Sequence, residues 1–496
     1  MTSSRMTVAS HGVPVRAGFV LAVAVFLTRL PFVGTGYGTD SDTWKFASAI
    51  REIADTGRYT VSRLPGYPLM EWSCTPLAHL GAWAPNTLSA IAAAACAWLA
   101  ARLFARHGVR DALLAGAAFV CVPAAWIAGT SSIDYLWALA FILAAWLDAG
   151  DGRALRAGLW LGMAVGARMT SAPLVLPLVW LAWHAGEGPR LQRAVTLAVT
   201  GALVGLAWYV PSYLRYGWEF LSYSEIRGGQ SSALQLVTGM THPGSAGVAA
   251  PLIAGQATAL LYGVLGCAAI ALALLSMLWQ RRDAARAGHI AWAPGWAIAA
   301  ALVYEFVLYL RLPHDEGYLL PTVPLVLLVL AAGVTPARFR AVCMALLVSP
   351  FVLGIDIAPP KKGLSPAQRS AFELHLPVAS ETVVIEPLRG AVLRDLAKRQ
   401  RMQSVAHDLV AWWPERPAVF RLAAGNLTSM MYYLFPVDPR TAPFARSYSP
   451  AELSASRAQG VPVYVLPDVV ERMRMSEGGR SVDGLLPLPS PSGETR

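Results

Sequence analysis

The chain predicts an α-helical polytopic membrane protein of about eleven spans, followed by a small C-terminal extracytoplasmic α/β domain. Three observations lead there. Apolar residues make up 55% of the 496 and charged residues only 14%, where a soluble globular chain carries about 25% charged residues. The mean hydropathy is +0.46. Long apolar runs recur as far as residue 356, after which the composition becomes that of a soluble domain.

A helix needs about 20 apolar residues to cross the hydrocarbon core. Spans are expected at 17–36, 84–105, 111–130, 133–147, 155–169, 171–184, 194–213, 256–279, 290–310, 317–333 and 338–356. The segment Leu155 to His184 reads either as one tilted helix or as two short ones meeting at Arg168-Met169-Thr170-Ser171. Loop charge separates the two. With a turn at Thr170 the interior loops hold 14 Lys and Arg and the exterior loops 7; with a straight passage the ratio is 10 to 11. Because Lys and Arg favour the cytoplasmic side, the turn is expected. The N-terminus is then cytoplasmic and everything after Asp356 lies outside. The first apolar run is long for a signal peptide and lacks a small-x-small cleavage site, so it reads as a retained anchor in a bacterial inner (plasma) membrane.

Residues 1–356 form the membrane domain, with a first external loop at 37–83; 357–484 read as the α/β domain and 485–496, rich in Pro and Ser, as a disordered tail. In the α/β part, Thr382–Ile385 and Val461–Leu466 read as strands and Leu388–Gln400 and Ala451–Gln459 as helices. The net charge of +10 divides into +6 before residue 357 and +4 after it. The membrane part's excess sits in interior loops, so it marks topology among membrane lipids and not nucleic-acid binding. Cys96, Cys121, Cys267 and Cys343 fall in apolar spans as packing residues and Cys74 in the first loop, with no zinc spacing or disulfide framework.

The most informative polar stretch is Thr39-Asp40-Ser41-Asp42-Thr43-Trp44, at the start of the first external loop, with Arg63-Leu64-Pro65-Gly66-Tyr67-Pro68-Leu69 some twenty residues on. Asp40 and Asp42 are candidates for acid–base chemistry at the membrane surface; the plainer reading is that one of them caps the amphipathic helix beginning near Thr43. Pro65-Gly66-Tyr67-Pro68 is chiefly a turn, with Tyr67 at the interface or against substrate. An ionisable group in hydrocarbon is costly unless paired or wet, and Arg29, Arg168, Glu305 and Asp134 all lie toward the external ends of their spans. They share that level with Arg311-Leu312-Pro313-His314-Asp315-Glu316-Gly317-Tyr318, which suggests one polar cavity open to the outer leaflet. Arg29 could equally snorkel to the headgroups, Arg168 and Glu305 could be structural ion-pair partners, and Asp134, after Ser131 and Ser132, reads first as a helix N-cap. Adjacent His314, Asp315 and Glu316 make an unpromising metal cluster, because neighbours on a short loop rarely converge. The loop Tyr216–Gly247 is long and glycine-containing, and could close over a ligand or simply connect.

The order of these features resembles the GT-C glycosyltransferase superfamily: an outer-ended Arg29, the Asp40-x-Asp42 loop, the stretch Trp44–Ile53, Pro65–Leu69, and Pro85-Asn86-Thr87-Leu88-Ser89-Ala90 entering the second span. Within it, the Pro-Gly-Tyr-Pro-Leu and Asn-x-Leu-Ser-Ala pair is similar to the O-mannosyltransferase-like branch that contains the TMEM260 proteins. Gly158–Arg168, Trp208-Tyr209-Val210-Pro211 and Glu316–Pro321 also look like GT-C landmarks. The chain departs from that branch at Asp40-Ser41-Asp42-Thr43, where Asp-Ser-Gly-Glu is usual, and at Ser62-Arg63-Leu64, where His-Pro precedes the turn.

The resemblance implies inverting transfer of a sugar from a polyprenyl-phosphate donor, at the outer face, to a hydroxyl on a protein, glycan or lipid acceptor. Asp40 or Asp42 would be the catalytic carboxylate; Arg29, Arg63, Tyr67, Arg168, Glu305, Arg311, His314, Glu316 and Tyr318 are the candidate substrate-binding residues. The chemistry suits these residue types. A carboxylate takes the proton of the attacking hydroxyl, and fixed guanidinium groups stabilise a departing phosphate. No cofactor is certain; a divalent cation, Mg or Mn, at Asp40 and Asp42 stays open. Two other classes compete: a lipid or sugar transporter or flippase, for which inverted repeats and broken helices at the midplane are expected, and a GT-C-like assembly factor without activity.

Overall fold

The computed structural model describes residues 14–186, 188–221, 255–280, 292–311, 316–358, 374–378, 381–437, 442–445, 448, 450–466 and 486–487. The chain runs through α1 (Val15–Val33), α2 (Ser41–Thr56), α3 (Pro68–Cys74), α4 (Trp83–Arg106), α5 (Ala112–Cys121), α6 (Pro123–Ala128), α7 (Tyr135–Gly150), α8 (Ala154–Ala167), α9 (Val175–His184) and α10 (Arg190–Tyr216). Then come α11 (Gly255–Tyr262), α12 (Val264–Gln280), α13 (Trp292–Arg311), α14 (Thr322–Gly333) and α15 (Pro336–Val352).

Among the described residues, α1, α4 and the run beginning with α10 are long and apolar enough to cross a membrane, and α11 with α12, bent by 98°, makes a fourth if the pair is one broken span. Most of the remaining expected spans are shorter apolar helices; α15, in the expected span 338–356, is not among them. The expected span 111–130 is broken at Val122, whose extended backbone (ψ 146) precedes Pro123 at the first position of α6, as proline disfavours a helical residue before it. The expected span 256–279 bends at Gly263, which adopts φ +72, a conformation only glycine takes cheaply. Helices α1 and α10 turn Phe19, Val20, Leu27, Leu203, Leu206 and Leu214 outward, an apolar face suited to lipid tails.

The two-helix alternative for 155–184 is the one found. Helix α8 stops at Ala167, Arg168 is extended (φ −159, ψ 111), and a 3-10 turn over Met169–Leu174 leads into α9. The start of α8 and the end of α9 meet the same end of α10: a methyl added at Gly158 would lie 2.7 Å from the Leu197 carbonyl, and Arg193 Nε donates to Ala182 O at 2.9 Å. The chain therefore reverses at Arg168. Gly158, Gly162 and Gly166 form one stripe of α8 against Leu197, Val204 and Trp208 of α10, the small-residue contact that lets helices approach without side chains between them. This stripe delivers Arg168 to the end of the bundle.

Helix α15 passes directly into a three-stranded antiparallel sheet of β1 (Leu353–Ala358), β3 (Glu381–Pro387) and β2 (Leu374–Val378), in the order β1-β3-β2. The sheet thus begins within the segment expected as the last span. Helix α16 (Ala391–Trp412) follows, then β4 (Arg421–Ala423), α17 (Thr428–Leu434), β5 (Phe444–Ala445), α18 (Pro450–Ala458), β6 (Val463–Val465) and β7 (Leu486–Pro487), whose strands pair in parallel as β5-β4-β6-β7. Leu486–Pro487, at the start of the expected tail, is held by the edge of β6. Tyr37, Trp44 and Ala47 of the first loop share one apolar core with Leu409, Trp412, Leu422, Met430 and Val465, while Phe46 and Ile50 pack on Met70, Cys74 and Ala78, so the amphipathic face of α2 is buried between the C-terminal segments and the rest of the first loop and not laid on lipid.

Candidate active site

Four charged side chains from four separate segments meet in one line at the end of the bundle that faces the C-terminal domain. Asp42 Oδ2 pairs with Arg63, Arg63 Nη2 donates to Asp134 Oδ1 at 2.9 Å, and Arg168 Nη1 binds Asp134 Oδ2. Lys45 Nζ lies 3.0 Å from Asp42 Oδ1. Arg63, Asp134 and Arg168 keep 14%, 3% and 8% of their side-chain surface exposed, so these are largely desolvated charges. Among Lys45, Arg63, Arg168, Asp42 and Asp134 the cations outnumber the carboxylates by one. Aromatic rings wall the guanidinium groups: Arg63 lies 4.4 Å from the Tyr67 ring centre, and Arg168 lies 4.2 Å from that of Tyr135 and 4.5 Å from that of Tyr318.

Each member is placed by its local sequence. Asp40 is the N-cap of α2, its Oδ1 accepting from Asp42 N at 2.8 Å, so the capping reading applies to Asp40. Asp42, in the first helical turn, is left to face Arg63. Asp134, expected first as a cap, begins α7 but makes no side-chain cap hydrogen bond. Both its oxygens serve arginines, because charge-assisted bonds to two buried guanidinium groups are stronger than a bond to a backbone N–H. Arg168 takes the turn between α8 and α9 and donates Nε to Thr170 Oγ1 at 3.1 Å.

Arg63 sits in a loop held by Glu71, which sequence reading passed over. Glu71 is fully buried and accepts from Tyr59 Oη, from Ser62 N and Oγ at 2.8 and 2.7 Å and from Tyr67 N at 3.1 Å. Burial pushes its carboxyl above the ordinary range, and the bonds from Tyr59, Ser62 and Tyr67 pull the other way. Gly66 closes the same loop at φ +101, where an added methyl would meet Tyr59 Oη at 2.8 Å. Asn86, noted only as part of a motif, is the second residue missed. Its Nδ2 donates to Val33 O and Gly36 O at 2.9 Å each and its Oδ1 accepts from Ser132 Oγ at 2.7 Å. A buried amide inside an alanine-rich span was the available signal.

Arg29 stands apart from this cluster, whereas Glu305 lies within electrostatic range of Arg168. Arg29 is 1% exposed, so it does not snorkel. It donates to Val25 O, Thr28 Oγ1 and Val120 O and stacks 4.1 Å from Trp126, supplying hydrogen bonds to carbonyls near the α5–α6 break. Its polar partners include none of the site's acids. Glu305 is 4% exposed and lines a small, mostly apolar void with Leu103, Leu174, Pro321 and Pro324; Tyr304 beside it donates to Thr170 O. Arg311 ends α13, while His314 and most of the Tyr216–Gly247 loop lie outside the described residues.

A cavity of ≈ 290 Å³ opens beside the cluster, between the bundle and α16, with Thr39, Asp40, Ser131, Tyr135, Glu316 and Lys398 among its walls. Glu316 therefore lines the cavity, and Tyr318 stands on Arg168. Gly317 lets this segment lie flat on the Tyr135 ring, which an added methyl would strike. Of the two loop carboxylates, Asp40 caps a helix and Asp42 faces Lys45 and Arg63. Among the described residues no group of three His, Cys, Asp or Glu could hold a metal ion.

No family model and no curated protein matches the chain. Two solved structures are similar to it. One is the crystal structure of ArnT from Cupriavidus metallidurans bound to undecaprenyl phosphate, at 13% identity over 95% of this chain and 89% of that one, with a TM-score of 0.49. The other is ArnT from the same organism in the apo state, at 18% identity over 95% and 74%, with a TM-score of 0.39.

Proposed function

We propose that this chain is an integral-membrane glycosyltransferase of the GT-C type, moving a sugar from a polyprenyl-phosphate carrier to an acceptor hydroxyl on the outer face of the membrane with inversion. The observation that carries the reading is the buried pair Arg63 and Arg168, gathered on one carboxylate beside a second carboxylate at the end of the bundle. In the transfer, the acceptor oxygen attacks the anomeric carbon, the bond from that carbon to the phosphate oxygen breaks, and the acceptor proton passes to Asp42. Arg63 and Arg168 stabilise the charge that collects on the departing phosphate. In a water-poor site such fixed charges act strongly and need little reorganisation. Asp42 is taken as the base in preference to Asp40 because it faces the guanidinium groups through Arg63, whereas Asp40 is turned to cap α2. A hexose as the sugar, and the O-mannosyltransferase-like branch as the nearer kinship, are the finer parts of this proposal.

A flippase would also hold many helices and buried charge, but the ion pairs here stand at one end of the bundle against the C-terminal domain. The test is mass spectrometry of polyprenyl-phosphate sugars in a strain lacking the gene, in its parent, and in strains carrying Asp40→Asn or Asp42→Asn. Accumulation of one lipid-linked sugar in the deletion and Asp42→Asn strains supports the proposal. An unchanged lipid pool in the deletion strain removes it.

A further inference from the structure

Two segments carry the acids of the site: Tyr37–Asp42, which leads from α1 into the first turn of α2, and Thr130–Asp134, between α6 and α7. They are joined by one backbone hydrogen bond, Ser132 N to Tyr37 O at 2.9 Å. From within the bundle Asn86 holds the chain entering the first, through Val33 O at the end of α1 and Gly36 O, and the second through Ser132. From the opposite side α16 grips both again. Arg399 is 2% exposed; its Nη1 donates to Thr130 O at 2.5 Å and its Nη2 to Ile127 O at 3.4 Å. These carbonyls end a helix and the turn after it, where acceptors lack intrahelical partners. One helical turn before it, Asp395 pairs with Arg399 Nε at 2.6 Å and accepts from Thr39 Oγ1 at 2.8 Å.

We infer that the C-terminal domain is a working part of the transfer site, with Arg399 and Asp395 as positioning residues that hold the Asp42 turn in register with the Asp134 turn. The inference rests on the glycosyl-transfer reading. A buried arginine reaching between helices from another domain is not needed to attach that domain, because Tyr37, Trp44 and Ala47 already join its apolar core. What the Arg399–Asp395 pair adds is direction: each of its two ends bonds one acid-bearing turn. Arg63 spans the gap between those turns, bonded to Asp42 on one and Asp134 on the other, so a shift between them would pull the base away from the phosphate-binding guanidinium groups.

The experiment uses the full chain in lipid nanodiscs with Arg399→Met, Arg399→Lys, Asp395→Asn and Thr39→Val, the last removing only one hydroxyl. Three quantities are measured on protein whose melting is within a few degrees of wild type: hydrogen exchange at the Ser132 amide, binding of undecaprenyl phosphate as the probe, and clearance of the lipid-linked sugar in cells. Exchange at Ser132 is expected to rise about tenfold or more in Asp395→Asn and Arg399→Met, as a charged hydrogen bond is lost. Transfer should fall ~10²-fold, the penalty of about 1 Å of misplacement. Probe binding should change less than threefold, since Arg168 and Tyr318 are untouched, and Arg399→Lys should recover part of the transfer. Should Arg399→Met fail to fold, Asp395→Asn and Thr39→Val decide, the latter expected at severalfold loss. Full transfer in folded Asp395→Asn and Thr39→Val, with or without faster Ser132 exchange, overturns the inference. A wild-type protein that clears no lipid-linked sugar would instead overturn the glycosyl-transfer reading, leaving the exchange result standing.

Discussion

Replacing Asp134 by Asn tests the central claim that two buried guanidinium groups are held ready for a phosphate. The carboxylate bonds Arg63 Nη2 at 2.9 Å and also Arg168. Removing one partner of a buried ion pair typically costs 3–5 kcal/mol, roughly. Asn keeps one carbonyl acceptor and Asp42 still pairs with Arg63, so the loss should be near the lower bound, about 3 kcal/mol. That stability is recoverable if a phosphate can take the carboxylate's place. Undecaprenyl phosphate at a hundred times its dissociation constant stabilises by about 2.7 kcal/mol. Without a competing carboxylate its affinity should also rise about tenfold, equivalent to about 1.4 kcal/mol. The assay is thermal unfolding of the nanodisc protein with and without undecaprenyl phosphate, alongside direct binding. The variant should melt lower when free, gain more on binding than wild type, and transfer poorly because Arg63 and Arg168 are no longer oriented. A variant that binds the probe as weakly as Arg168→Met would refute the reasoning, since the carboxylate would then be part of the binding surface and not a stand-in for the phosphate.

Asp42→Asn should keep the fold and lower transfer by about 10²-fold or more, the contribution expected of a proton acceptor; Asp40→Asn should cost little because Asn caps helices as well as Asp. A transfer-active Asp42→Asn would reassign the base. The raised Glu71 carboxyl makes the Tyr59–Glu71 loop pH-sensitive. Its stabilising contribution is complete below the ordinary carboxylate range and is lost as pH rises through the raised value. Proteolytic nicking of the loop should therefore increase toward alkaline pH in wild type, and Glu71→Gln should abolish that dependence. Gly158→Val forces a side chain onto the Leu197 carbonyl and should destabilise by about 1–3 kcal/mol, with a lower melting point and weaker undecaprenyl phosphate binding as Arg168 moves; unchanged binding would separate the α8–α10 contact from the site.

Much of this was legible from local properties. Hydropathy and loop charge marked the apolar helices and the reversal at Arg168, because both are written in runs of neighbouring residues. The amphipathic face of α2, the strand at Thr382–Ile385 and the helix after it follow from periodicity in the same way. Breaks inside apolar runs were harder: Pro123 and Gly263 interrupt segments whose average hydropathy barely changes.

Pairing across the chain is a different matter. Residue type alone suits Asp134 to a helix cap, yet its partners are Arg63 and Arg168, 71 and 34 residues away. Arg29, placed by composition near the headgroups, turns inward to a carbonyl 91 residues on, and Glu71 and Asn86 gain meaning only from the loops they bind. The sequence by itself determined where the chain is apolar, where it turns and which charges lie at one end, since solvation and backbone preference act on each residue and its neighbours. Only the tertiary structure decided which carboxylate meets which guanidinium, and that α16 bonds the segments carrying the acids, because those choices depend on distances between segments that no local pattern encodes.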